Sequence, residues 1–259
     1  MLLGKILVTV VVVLGLAYIA ERISAKVAGV LAGYPLGIAI VLVFLGLEQG
    51  VDFATQAAQY AILGLLANLA LALCYWRLAQ ESRKLGNLLL AAIGGVGGFL
   101  LLAYVLQEVP EGLVVTVPVT LVGLLLAAIL MLKVPAIQQQ TVASISKMDT
   151  LFRALVAAGT VVLITGLAEL IGPVWAGLLS GFPVVAFPLF LILHYHHGKS
   201  VLTNSIRVYP LGLISLLVYT TSVSLAYPQL GLLWGTLLGF ALATIYILAL
   251  PFMQKKLSA

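Results

Sequence analysis

Apolar residues run through this chain in long uninterrupted blocks, and polar residues gather in the short stretches between them. A bilayer core is ~30 Å thick, so a spanning helix needs ~20 mostly apolar residues. Nine blocks reach or approach that length, near 5–20, 27–47, 54–76, 87–107, 113–132, 151–168, 174–194, 208–227 and 231–253. Gly50 and Gly198 follow the second and seventh blocks, and Arg207 and Tyr227-Pro228 flank the eighth. The longest connection, Lys133 to Thr150, carries Gln138, Gln139 and Gln140 and reads as a linker between two halves. The pattern predicts an all-α membrane protein of nine transmembrane helices.

Composition excludes the alternatives. Of 259 residues 63% are hydrophobic and 8% charged, against about 25% charged in a soluble domain. Such a chain cannot cover its own surface with polar groups, so soluble, disordered and fibrous classes fall away. A single cysteine excludes an internal disulfide framework and a cysteine-rich metal cluster. The formal charge of +5 is explained by topology. With nine spans, the loops on one side carry 12 of the 13 basic residues, and only Lys5 lies on the other. Positive charge collects in cytoplasmic loops. The N-terminus is therefore expected outside and the C-terminus in the cytoplasm, with Glu48, Asp52, Glu108 and Glu111 outside. The basic excess faces the anionic inner leaflet, and no nucleic-acid partner is expected. The first span resembles a signal peptide, but Tyr18 is a poor residue ahead of Ala20 for cleavage, so it is expected to stay.

The chain aligns with itself at a shift of 148 residues. Between Ala20 and Leu66 there are 14 identities in 47 ungapped positions. They include Glu21 with Glu169, Gly29 with Gly177, Gly33 with Gly181, Pro35 with Pro183, Gly50 with Gly198 and Gly64 with Gly212. A further pair, Gly94-x-x-x-Gly98-Phe99 and Gly235-x-x-x-Gly239-Phe240, matches at a shift of 141. Each half then holds four spans, and the fifth joins them. Four is even, so the single linking helix inverts the second half. The expected architecture is an inverted-topology 4+1+4 arrangement: residues 1–110 as the first repeat, 111–150 as linking helix and cytoplasmic loop, and 151–259 as the second repeat.

Ala176-Gly177-Leu178-x-x-x-Phe182-Pro183, followed by His194-Tyr195, resembles the pattern of the GlpM-like small inner-membrane proteins. Those are single units of about four spans, so the chain resembles two such units fused. The resemblance implies a helical membrane fold and an inner-membrane location, and no particular activity.

The candidate chemistry lies where spans are interrupted. Gly33-Tyr34-Pro35 and Gly181-Phe182-Pro183 fall inside the second and seventh spans. Proline removes a helix hydrogen bond and clashes with the preceding turn. Matched Gly/Pro breaks in two inverted halves are the best pointer in sequence to a transporter's central site; the alternative is a packing kink. Glu21 and Glu169 each close the first helix of a half, against the helix dipole. They are candidates for capping the next helix or for proton or cation coupling. Asn68 in the third span, and Tyr219, Thr220, Thr221 and Ser222 in the eighth, suit interhelical hydrogen bonding or a polar lining. The stripes Ala25-Gly29-Gly33-Gly37, Gly177-Gly181 and Gly231-Gly235-Gly239 read as close helix packing. His194, His196 and His197 lack a completing carboxylate or cysteine nearby and read as a cytoplasmic rim rather than a metal site. Cys74 beside Tyr75-Trp76 reads as filler at an aromatic belt. No Walker loop, nucleophile elbow or zinc-protease motif is present.

The function expected is passage of a small solute between the two breaks, with Gly33, Tyr34, Pro35, Gly181, Phe182, Pro183 and Asn68 as its site. No enzymatic activity, cofactor or metal is expected. Membrane lipids, an unknown small solute and further copies of the chain are the expected partners. A lipid scramblase or flippase, or a non-transporting scaffold or accessory subunit, are the alternatives. The two breaks are expected to lie close together and to border a cavity.

Overall fold

The computed structural model describes residues 3–8, 10, 11, 15, 34–135 and 146–257. Glu21, Ala25, Gly29 and Gly33 lie outside them. Among the described residues there are helices and turns and no strand. The helices are α1 (Leu36–Gln49), α2 (Val51–Leu78), α3 (Leu85–Leu106), α4 (Leu113–Leu132), α5 (Lys147–Ser180) and α6 (Ala186–Leu257). Five stretches are long and apolar enough to cross a membrane: α2, α3, α4, Met148–Ser180 and Ala186–Leu250; α1 is a shorter apolar helix. The chain is thus all-helical and of multi-pass membrane type.

Glycine divides the long elements. A straight helix of the 72 residues of α6 would run about 108 Å at 1.5 Å per residue, more than three bilayer cores. Gly198 at φ +77° and Gly231 at φ +74° interrupt it. An L side chain rarely adopts that left-handed backbone, and glycine adopts it freely. The pieces are α6a (186–197), α6b (199–230) and α6c (232–257). Gly172 at φ +71° divides α5 into α5a (147–171) and α5b (173–180). Pro173 begins α5b, where a proline has no intrahelical N–H bond to lose. Gly231 was expected in a packing stripe; it is a turn, and nothing lies within 4 Å of where its Cβ would be. The eighth span was expected at 208–227. α6b is longer and contains Arg207, whose Nη2 donates to Leu132 O at 3.1 Å and ties α6b to the end of α4.

The core forms around α2. It is 28 residues rich in Ala and Leu with no proline, and 72% of its most apolar window is buried, against 28% for α3 and α4. The outer helices turn Leu85, Ile93, Leu101, Val114 and Ile129 outward as an apolar surface. The linking helix α4 attaches to α2 through Thr120 Oγ1, which donates to Ile62 O at 3.2 Å. At one end of α2, Lys5 Nζ meets Glu48 Oε2 and Thr165 Oγ1, each at 2.6 Å. At the other end, Arg83 donates to His196 O, Asp149 bonds His196, and Ser200 donates to Glu81.

Two expected stripes do pack closely. Gly177 faces Ala57 and Tyr60 on α2, and Gly181 lies against the backbone of Gly64. Gly235 and Gly239 of α6c meet Tyr227, Val223 and Tyr219 of α6b. A Cβ at Gly64 would lie 2.5 Å from Leu178 O, a backbone atom that cannot swing away. Gly64→Ala should therefore destabilise the protein by about 1–3 kcal/mol. Gly97→Ala, where nothing lies within 4 Å, should be neutral or stabilising by up to about 1 kcal/mol. Thermal unfolding in detergent compares the two.

Candidate functional site at the paired helix breaks

The two aromatic-proline sequences form the same turn. Leu36 N donates to Tyr34 O at 2.8 Å and Ala39 N to Pro35 O at 2.9 Å. Val184 N donates to Phe182 O at 2.8 Å and Phe187 N to Pro183 O at 2.8 Å. Each donor and acceptor in the second pair stands 148 residues after its counterpart. Proline has no N–H, so a helix cannot run through it unbroken. A three-residue turn across each proline lets the chain restart as α1 or, after a short turn, as α6a.

These turns meet. Pro35 and Pro183 are both buried, and a Cβ at Gly37 would lie 3.3 Å from Val184 Cβ. Tyr34, Pro35, Phe182 and Pro183 line one cavity together with Asn68 and Tyr209. Its volume is about 40 Å³. A water in liquid takes roughly 30 Å³, so the conformation seen is closed to anything larger than about one water.

The rings at the breaks are held from the opposite half. Tyr34 stacks on Phe240 at 5.5 Å and 8°, and its hydroxyl lies 3.0 Å from Thr244 Oγ1. Phe182 meets Phe99 edge-on at 5.3 Å and Phe187 at 5.6 Å. Phe99 and Phe240 are the residues that close the two Gly-x-x-x-Gly-Phe sequences. Each break thus rests on the phenylalanine of the other half's last helix. Pattern matching found both motifs, but a periodicity within one helix carries no information about which partner helix it meets.

Asn68 is the polar centre. Its Nδ2 donates to Gly181 O at 2.8 Å, and its Oδ1 accepts from Tyr209 OH at 2.7 Å. The carbonyl freed where α5b ends therefore has a donor from α2, and the amide that supplies it is itself fixed by α6b. Asn68 is 1% exposed, so all of this takes place away from solvent. Tyr209 was not among the expected residues. It lies near the start of an apolar span beside Pro210, with no motif around it to mark it.

The remaining candidates lie elsewhere. Glu169 is exposed, three residues before the Gly172 break, and has no hydrogen-bond or ion-pair partner among the described residues. Glu21 and Gly33 lie outside the described residues. Thr220 and Ser222 donate to carbonyls one turn back in their own helix, at Leu216 and Val218. His194 was expected at a rim; it is fully buried instead. Gln80 O can only accept, so His194 Nε2 carries the proton of their 2.8 Å bond, while Nδ1 faces Tyr75 OH at 3.1 Å. Among the described residues no group of three or more His, Cys, Asp or Glu side chains is placed to hold a metal. Cys74 packs against α3 opposite Gly98.

Replacing Asn68 by Leu orphans both the Gly181 carbonyl and the Tyr209 hydroxyl. The expected loss is about 1–3 kcal/mol, read as a lower unfolding temperature. Tyr209→Phe, which removes one bond and leaves Gly181 capped, should cost less, about 0.5–1.5 kcal/mol. Equal losses in the two variants would show that the Gly181 bond contributes nothing. No family model, curated protein or solved structure matches the chain.

Proposed function

We propose that this chain is a nine-span membrane transporter, built from two inverted four-helix repeats and one linking helix, that passes a small solute between its paired helix breaks. One observation carries the reading: the two Gly-aromatic-Pro sequences, 148 residues apart, make the same turn and border the same buried cavity. A packing kink needs neither a twin nor a shared cavity. Discontinuous helices facing each other across a pseudo-two-fold axis are the usual construction of a secondary transporter's site. The glycine breaks at Gly172, Gly198 and Gly231 support the count of nine, because they cut two long helical stretches into bilayer-sized pieces. The repeats are proposed as relatives of the GlpM-like units. The membrane is proposed to be the inner one, with the N-terminus outside.

Solute transfer requires α1 to part from the α5b–α6a turn, first on one side and then on the other. The two rings and the amide of Asn68 make the opening amphipathic, suited to a small, mostly apolar solute with one or two hydrogen-bonding groups. No carboxylate lines the cavity, which argues against direct proton or cation binding there.

A second reading has its own observation. Two apolar grooves of about 410 and 500 Å³ open on the protein's flanks, as a lipid-moving protein would need. Neither continues as a polar track for a headgroup: the larger offers only Thr221, Ser222 and Gln229. Solute passage is therefore preferred, and a dithionite assay with headgroup-labelled lipid separates the two.

Two measurements test the proposal. Reporter fusions at residue 1, within 137–145 and after Ala259 should place the first outside and the other two inside; termini on one side would end the inverted architecture. In a Cys74→Ala background, Ser180→Cys and Val185→Cys should react with membrane-impermeant maleimide from either face. Tyr34→Trp, which fills the cavity, should slow that labelling at least several-fold. Reaction from neither face in folded protein would return the breaks to a structural role.

A further inference from the structure

The groove of about 410 Å³ lies between α3, α5a and α6a. Leu88, Leu89, Phe152, Phe187 and Leu191 make its walls, and Asp149 stands at its mouth. The mouth is at the end of α2 where Arg83 and Lys84 lead into α3. Arg153 follows Asp149 by one helical turn, so the two share a face of α5a. The Nε of Arg153 is buried and has no hydrogen-bond partner among the described residues. The acid beside it is already committed: Asp149 Oδ2 accepts from Ser146 N at 3.0 Å, and its Oδ1 bonds His196 Nε2 at 3.2 Å.

Comparison of the halves shows what is missing. At the shift of 148 residues Lys5 corresponds to Arg153 and Glu48 to His196. In the first half the cation is neutralised by the acid at 2.6 Å. In the second half an imidazole takes the acid's place and turns to Asp149. A half-buried guanidinium without a counter-ion is costly at a low-dielectric boundary, and its planar fork of donors suits a phosphate. Exposed Arg83 and Lys84 add positive charge at the same mouth. A free anion would find no use for the apolar walls below; an anionic lipid uses both parts.

We propose that this groove and Arg153 bind an anionic phospholipid, its acyl chain along Leu88, Leu89 and Leu191 and its phosphate on the guanidinium. The site is separate from the central cavity and does not depend on solute passage. Full-length, delipidated protein in detergent is titrated with phosphatidylglycerol or phosphatidylcholine, and bound lipid is counted by native mass spectrometry. Wild type should bind phosphatidylglycerol at least about tenfold more tightly. Arg153→Gln should reduce that preference to about twofold or less, and Arg153→Lys should keep most of it. Ala92→Phe, which fills the groove, should weaken both lipids. Equal binding of the two lipids by wild type would overturn the proposal, as would an unchanged preference in Arg153→Gln. Displacement of phosphatidylglycerol by millimolar inorganic phosphate would also overturn it, by showing an anion site without a lipid chain. Circular dichroism of each variant establishes that the comparison is between folded proteins.

Discussion

Everything at the centre of this protein depends on one bond, from the Asn68 amide to the carbonyl of Gly181. Away from water, a helix may stop only where something else satisfies the groups it leaves behind. At the end of α5b the protein solves this with a side chain from α2, held in turn by Tyr209 of α6b. Three helices are thereby fixed to one backbone atom. The close approach that makes the bond short enough depends on glycine on both sides, since Gly64 and Gly181 touch through their main chains. The break, the amide and the glycines form a single arrangement, and none of them works without the others.

That arrangement explains why the sequence was informative about some features and silent about others. Helix number and placement follow from the length of apolar runs, because the bilayer imposes a length on each run. The breaks follow from proline chemistry, and their equivalence from the 148-residue register. Contacts between helices are another matter. Almost every surface of these helices is apolar, so nothing in the composition of α5b says that it lies on α2 rather than α4. Only Asn68 offered a signal, as a lone amide in a hydrophobic run, and its partner was beyond reach because a backbone carbonyl has no residue identity.

The glycines show the same divide. Spacing of four identified Gly177 and Gly181 as a packing face, and they are one. It grouped Gly231 with Gly235 and Gly239 on equal grounds, yet Gly231 adopts φ +74° and ends a helix. Close contact and backbone permissiveness are distinct uses of a missing side chain, and a repeat of small residues does not separate them. His194 misled for a related reason. Its position near charged residues and histidines suggested an interface, but both ring nitrogens find partners inside the bundle, so burial costs it little.

The two breaks share a fold of the backbone but not their fastenings. Asn68 secures the Phe182 break, while the position 148 residues later is Leu216, which offers no hydrogen bond. The Tyr34 break is secured instead by a hydroxyl pair with Thr244, whose counterpart beside Phe182 is the methyl of Ala103. Duplication makes two gates; divergence makes them unequal. In a two-faced carrier built on them, an imbalance of about 1 kcal/mol between an amide–carbonyl latch and a hydroxyl–hydroxyl latch shifts the resting population toward one face by a factor of roughly five. The direction in which an empty carrier waits would then be written in two side chains rather than in the fold they inherit.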